Sequence, residues 1–302
     1  MMNREKVFLK CKTPASCGEI VEGAIGTKAF LSAYPINCYS HITISKSSNG
    51  TRTPLPSKCQ NLLKILSKEW GIPYQEIENL MIEIDSQIPV GKGMGSSTAD
   101  LSGLAKSIAC WFGLEVSDET IFQLCIQVEP TDNIIFNHLT LVDFLSGEIY
   151  GKYQAYPQFD LLCLESTEII STVSYYQSSI YQQWMKDNYL KYQHLYDDYS
   201  QILSGPLRLS DLGELAIQSA KLNQHLRAKP LFKEILSIRK TKGIKGINIA
   251  HSGSVIAIWY DPALQTSLSL TKMLKEIDGL TDTYQINHYK TVKGGSEIKW
   301  IE

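Results

Sequence analysis

The chain has 302 residues, 43% hydrophobic and 20% charged, with 29 basic against 31 acidic side chains and a formal net charge of -2. That balance excludes intrinsic disorder and a general attraction to nucleic acid, so any anion must be bound locally. No run of about 18 apolar residues exists, and "MMNREKVFLKCK" lacks a signal-peptide pattern, which predicts a cytoplasmic protein with no membrane contact.

The length predicts two domains of about 150 residues each. Cys11, Cys17, Cys38, Cys59, Cys110, Cys125 and Cys163 are scattered, with no C-x-x-C pair, and read as reduced, mostly buried thiols. "KVFLKCKTPASCGEIVEG" and "NCYSHITIS" read as strands, followed by the loop "KSSNGTRTPLPS". "CQNLLKILSKEWG" carries apolar residues at helical spacing and stops at Gly71, a C-terminal cap position. "NLMIEIDSQIP" alternates Leu80, Ile82 and Ile84, a strand ended by Pro89. In "ADLSGLAKSIACWFG", Leu101, Leu104, Ala105, Ile108 and Phe112 form one helix face. "SDETIFQLCIQVE" begins a further helix, with Ser117 as its cap and Asp118 and Glu119 in its first turn.

A change of pattern between Gly147 and Pro157 divides the chain into 1–153 and 154–302. The second half reads as mixed α/β, with a hairpin in "GINIAHSGSVIAIWYD". Tyr189, Tyr192, Tyr196 and Tyr199 recur at spacings of three and four, a stripe that reads as helix packing.

Between the strand and helix around residue 90 lies "PVGKGMGSST". Glycines let backbone N–H groups approach a ligand, and the first turn of the helix adds unpaired N–H groups and partial positive charge. Phosphate is the natural guest. Ser96, Ser97 and Thr98 add hydroxyls that can bond phosphate or complete a magnesium shell. The loop is not a Walker A motif, because its lysine, Lys92, lies inside the loop, and its G-x-G-x-G pattern is no dinucleotide fingerprint. A Gly/Ser turn capping a helix is the structural alternative. Phosphoryl transfer also needs a cation ligand and a group to handle the proton of the attacking hydroxyl. "EPTDN" supplies Glu129 and Asp132, three apart around a proline; alone, such a pair also fits a helix stop with solvated acids.

"PVGKGMGSSTAD" resembles the ATP-binding loop of the GHMP kinases. "PASCGEIVEG", "LCIQVEPTDNIIF" and "AHSGSV" resemble the L-threonine kinases of cobalamin synthesis, which make O-phospho-L-threonine from threonine and ATP. The resemblance implies an α+β protein of two domains, the first with a left-handed β-α-β unit (the ribosomal-protein-S5-domain-2-like domain) and the second ferredoxin-like, with the active site between them. It further implies that Pro89, Gly91, Lys92, Gly93, Met94, Gly95, Ser96, Ser97 and Thr98 bind ATP. Ser96 or Ser97, with Glu129, would hold Mg2+. Asp132 is then either the base or a ligand of a substrate ammonium group. Ser16, Cys17, Gly18 and Glu19 would lie near substrate or nucleotide. The chain has His251, Ser252 and Gly253 where the family has a run of glycines, so His251 is either a substrate contact or a hairpin residue. Homoserine, serine, another hydroxylated amino acid or a sugar are alternative acceptors, and a non-catalytic nucleotide-binding protein is the alternative of a different class.

Overall fold

Two long strands carry the architecture: β1 (Phe8–Ile25) and β2 (Lys28–Lys46) pair antiparallel along their length, turning at Gly26 and Thr27. The computed structural model describes residues 7–46, 54–168 and 175–301. β2 begins at Lys28, well before the expected "NCYSHITIS", because "KAFLSAYP" is buried on both faces and lacks the alternation of a half-buried strand. The expected loop at 46–57 lies largely outside the described residues.

α1 (Ser57–Trp70) buries Cys59, Leu62, Leu63 and Leu66 and ends at Gly71, whose φ of 65° is the left-handed cap its position predicts. After the short α2 (Tyr74–Glu78), β3 (Leu80–Ser86) pairs with the outer half of β2. α3 (Ser96–Trp111) then crosses the sheet, with Leu101, Leu104, Ala105 and Ile108 fully buried. α4 (Asp118–Ile126) starts at Ser117, whose hydroxyl accepts from Thr120 N at 3.2 Å. β4 (His138–Val142) and β5 (Ile149–Ala155) complete this flank of the sheet.

The remaining elements are β6 (Asp160–Ser166), α5 (Ser179–Asp187), α6 (Tyr189–Ser204), α7 (Leu209–Asn223), α8 (Phe232–Ser237), β7 (Ile244–Ile249), β8 (Ile256–Tyr260), α9 (Ser267–Lys275), α10 (Leu280–Thr283), β9 (Tyr284–Lys290) and β10 (Glu297–Ile301). The antiparallel order β7-β8-β6-β9, with helices in both crossovers, is the split β-α-β-β-α-β arrangement of a ferredoxin-like unit. β1 joins it to the rest through a single pair, Glu19 with Ile249, so the ten-stranded sheet runs unbroken. α7 packs on β7 and β1 at that junction. The tyrosine stripe lies on α6 and does pack: Tyr192 and Tyr199 are buried, and Tyr199 donates to Ser32 Oγ at 2.5 Å. The described cysteines are free thiols, buried except for the half-buried Cys110. No helix among the described residues is long and apolar enough to cross a membrane.

Candidate active site

The segment between β3 and α3 has three glycines of positive φ, Gly91 (70°), Gly93 (79°) and Gly95 (66°), the last being the cap residue of α3. The positive φ starts the helix abruptly, and a side chain at Gly95 could not fit. An added Cβ would lie 2.8 Å from both Asp132 Oδ2 and Ser16 Oγ. The first intrahelical bond is Ala99 N to Gly95 O, at 2.9 Å. By helix geometry Ser96, Ser97 and Thr98 therefore present their N–H groups beyond the helix end. They face a cavity of about 480 Å³, together with Gly91, Gly93, Met94 and Gly95. This is the concave, amide-lined surface that suits an anion.

Two other segments hold the loop. Ser16 N donates to Met94 O at 3.0 Å and Gly18 N to Gly93 O at 3.2 Å, which ties β1 to the loop. On the other side Ser254 N donates to Lys92 O at 2.9 Å. Gly253 packs so closely against Gly93 that an added Cβ would lie 2.5 Å from the Gly93 Cα. The glycine of "HSGS" thus serves contact between two backbones, while its neighbour Ser252 lines the cavity. Three segments far apart in sequence converge here.

The acidic groups fall where β1 and the turn after α4 meet this loop. Glu129 Oε1 accepts from the Ser97 hydroxyl, and its other oxygen accepts from the Lys58 ammonium, which also lies 3.5 Å from Ser97 Oγ. Asp132 Oδ2 accepts from Ser16 Oγ at 3.0 Å, and Asp132 N donates to Thr98 Oγ1 at 3.1 Å. Burial, then the negative charge of Glu19, pushes the Asp132 carboxyl up to about 7, against the Ser16 hydrogen bond. A carboxyl poised there can take a proton near neutrality. Ser97 and Glu129 are hard oxygen donors in mutual contact with a cation already seated on them, so the pair fits Mg2+.

Glu19 lines the same cavity and is held from behind. Its Oε2 accepts from both the His251 backbone N–H (2.7 Å) and Nδ1 (2.9 Å). His251 Nε2 meets Ser219 Oγ at 2.8 Å, and that oxygen accepts from Glu22 N at 3.3 Å. Both ring nitrogens of His251 are therefore engaged within the protein. The side chain is buried behind Glu19 and orients it, which differs from a direct substrate contact. Cys17 is also fully buried away from the cavity wall.

Lys92 is another departure. Its ammonium donates to the carbonyls of Ser166 (2.6 Å) and Glu168 (2.7 Å), and the side chain does not line the cavity. A loop lysine that suggests a phosphate contact in sequence instead ties the loop to the end of β6. Pro89 precedes the lined stretch, which begins at Val90.

Four further residues of this region were not among the expected site residues: Lys58 and Tyr176 lie outside every quoted motif, and Asp100 and Glu22 lie inside "PVGKGMGSSTAD" and "PASCGEIVEG". Lys58 lies in the first turn of α1, and Asp100, which accepts from Ser40 Oγ at 2.6 Å, follows the loop in α3. Tyr176 lines the cavity and donates to Glu22 Oε2 at 2.9 Å, leaving Glu22 Oε1 buried and unpartnered. Strand alternation puts Glu19 and Glu22 on opposite faces, but register shifts on both sides of Glu19 break that alternation and bring the two carboxylates together with His251.

Residues 57–138 match the family model described as GHMP kinases N terminal domain. The chain is 33% identical over 250 residues to an L-threonine kinase of Citrobacter freundii, covering 82% of this chain and 85% of the relative. It is 32% identical over 292 residues to an L-threonine kinase of Salmonella typhimurium, covering 95% and 94%. The fold matches a homoserine kinase from Cytophaga hutchinsonii with a TM-score of 0.65 at 14% identity, over 100% of this chain and 99% of that one. The chain belongs to the GHMP kinase family and is a phosphotransferase with an alcohol group as acceptor.

Proposed function

We propose that the protein transfers the γ-phosphoryl group of ATP to the side-chain hydroxyl of L-threonine, giving O-phospho-L-threonine and ADP. The observation that carries this reading is the buried Asp132 carboxyl, which shares one cavity with the amide-lined start of α3 and with the Ser97–Glu129 pair. The L-threonine kinase relatives supply the acceptor.

In this reading the 91–98 segment wraps the triphosphate, and Ser96, Ser97 and Thr98 donate backbone N–H bonds to its oxygens. Ser97 Oγ and the Glu129 carboxylate would hold Mg2+, which when bound neutralises charge on the phosphates. Glu19, held by His251, takes the ammonium group of the amino acid and fixes its orientation. The substrate hydroxyl oxygen attacks the γ-phosphorus in line. As the new O–P bond forms and the bond to the β-phosphate oxygen breaks, the hydroxyl proton passes to Asp132 Oδ. Asp132 then acts as the base, with a proton affinity matched to neutral pH. The site lies between the 1–153 and 154–302 halves.

Initial rates of ATP-dependent phosphorylation with L-threonine, L-serine, L-homoserine and galactose, with product masses, test the reading. Preference for threonine is expected. Preference for another acceptor overturns the substrate assignment, and ATP binding without turnover on any acceptor overturns catalysis.

A further inference from the structure

Among the described residues that line the cavity, four are carboxylates (Glu19, Asp100, Glu129, Asp132) and the single cation is Lys58. Its position is unfavourable for its own helix. Lys58 lies in the first turn of α1, at the positive end of the helix, and that turn holds no acidic residue. Its side chain is 50% exposed, yet its ammonium reaches inward to a carboxylate that is only 8% exposed. It contacts Glu129 Oε2 and lies 3.5 Å from Ser97 Oγ, while Ser97 Oγ contacts Glu129 Oε1. The ammonium therefore sits on both members of the pair that fits a divalent cation. A buried carboxylate without a counter-charge is costly, and a nearby ammonium offsets that cost.

We infer that Lys58 is a built-in placeholder for the metal: its ammonium neutralises Glu129 when no nucleotide is bound, and yields that place when a divalent cation arrives with the phosphates. The inference rests on the reading of Ser97 and Glu129 as metal donors. The ammonium lies against both Ser97 Oγ and Glu129, so a divalent cation taken up by that pair would lie within a few ångströms of it and be repelled by it, and metal and ammonium compete. Lys58 is rooted at the cavity rim on a flexible four-carbon stem. Once displaced, its charge is free to meet the incoming phosphates. The device lowers affinity for bare metal and keeps the site for metal that arrives with nucleotide.

The test is binding of Mn2+ alone, followed by the electron paramagnetic resonance signal of free ion, to the full-length protein without nucleotide. Lys58→Met, Lys58→Arg, Glu129→Gln and the Lys58→Met/Glu129→Gln double variant are compared with wild type. Lys58→Met is expected to tighten Mn2+ binding by about tenfold or more, within the range of coupling between competing ligands. Lys58→Arg keeps the charge and stays weak. The same Lys58→Met variant is expected to raise the KM for ATP, separating a phosphate contact from simple relief of competition. If Lys58→Met binds Mn2+ no more tightly than wild type while Glu129→Gln binds less, the placeholder role is overturned and the metal assignment stands. If the double variant binds as tightly as Lys58→Met, Glu129 is not the metal donor and both fall.

Discussion

Ser16 on β1 donates its hydroxyl to the carboxylate of Asp132 at 3.0 Å, and both oxygens lie against the face of Gly95 where a side chain would be. This contact fixes the proposed base relative to the start of α3. The Asp132 carboxyl is raised to about 7, so it is largely protonated below that pH and available as a base above it. The proposal predicts that kcat/KM for the amino acid rises with pH through about 7, and that Asp132→Asn removes this limb with a loss in kcat of about a hundredfold or more. A pH–rate profile checks it. A variant that keeps kcat but raises only the KM for the amino acid shows instead that Asp132 binds the ammonium group.

The same shift has a stability consequence of definite sign. The folded protein holds the Asp132 proton up to about 7, whereas the unfolded chain releases it near 3.8. Between those values the folded state binds more protons, so this group's contribution to stability falls as pH rises. Asp132→Asn should flatten that part of the stability curve. Urea midpoints measured across the interval report it, and an unchanged slope contradicts the assignment.

Glu19 raises Asp132 through its negative charge, second only to burial. Glu19→Gln removes that charge and should move the acid limb of the pH profile to lower pH. It should also raise the KM for the amino acid if Glu19 holds the ammonium group. His251→Ala, acting through Glu19, should raise that KM less, with the KM for ATP little changed. A profile that stays in place after Glu19→Gln shows that the two carboxyls are not coupled.

Ser97 and Glu129 touch each other beneath the first turn of α3. Ser97→Ala and Glu129→Gln should each lower activity by about a hundredfold or more, as for loss of a transition-state contact worth about 3 kcal/mol. The expected readout is a loss in kcat that saturating magnesium does not restore. Near wild-type rates in both variants remove the pair from the mechanism.

Much of this site is local in sequence and was legible there. The Gly/Ser loop, the following apolar face and the acids of "EPTDN" are contiguous signals, and the structure brings Gly95, Ser97, Glu129 and Asp132 to one cavity. Lys92 has a phosphate-loop address but ends on the carbonyls of Ser166 and Glu168, because the loop is clamped to the end of β6, a contact between residues more than seventy apart. Lys58 and Tyr176 reach the cavity only through tertiary packing. Glu22 was hidden by the register shifts in β1, which no periodicity reveals.

The bend that carries Cys17, Gly18 and Glu19 toward the loop depends on a buried polar network behind it. Asn248 Nδ2 donates to Cys17 O at 2.8 Å, and Asn248 Oδ1 accepts from Trp259 Nε1 at 2.7 Å and from Tyr34 OH at 2.8 Å. Tyr34 OH also lies 3.0 Å from Cys17 O and accepts from Trp259 Nε1 at 2.9 Å. The two side chains are not equivalent. Removing the Tyr34 hydroxyl leaves Cys17 O and the indole each with Asn248, so Tyr34→Phe should cost about 1 kcal/mol. Asn248→Leu removes a donor and a shared acceptor together, three bonds in all, leaves Cys17 O and the indole with the Tyr34 hydroxyl alone, and should cost about 2 kcal/mol. Because the network supports the strand that presents Glu19, the loss in Asn248→Leu should also raise the KM for the amino acid before it affects ATP. Urea unfolding gives the order of the two costs, and equal costs would show that the network is not centred on Asn248.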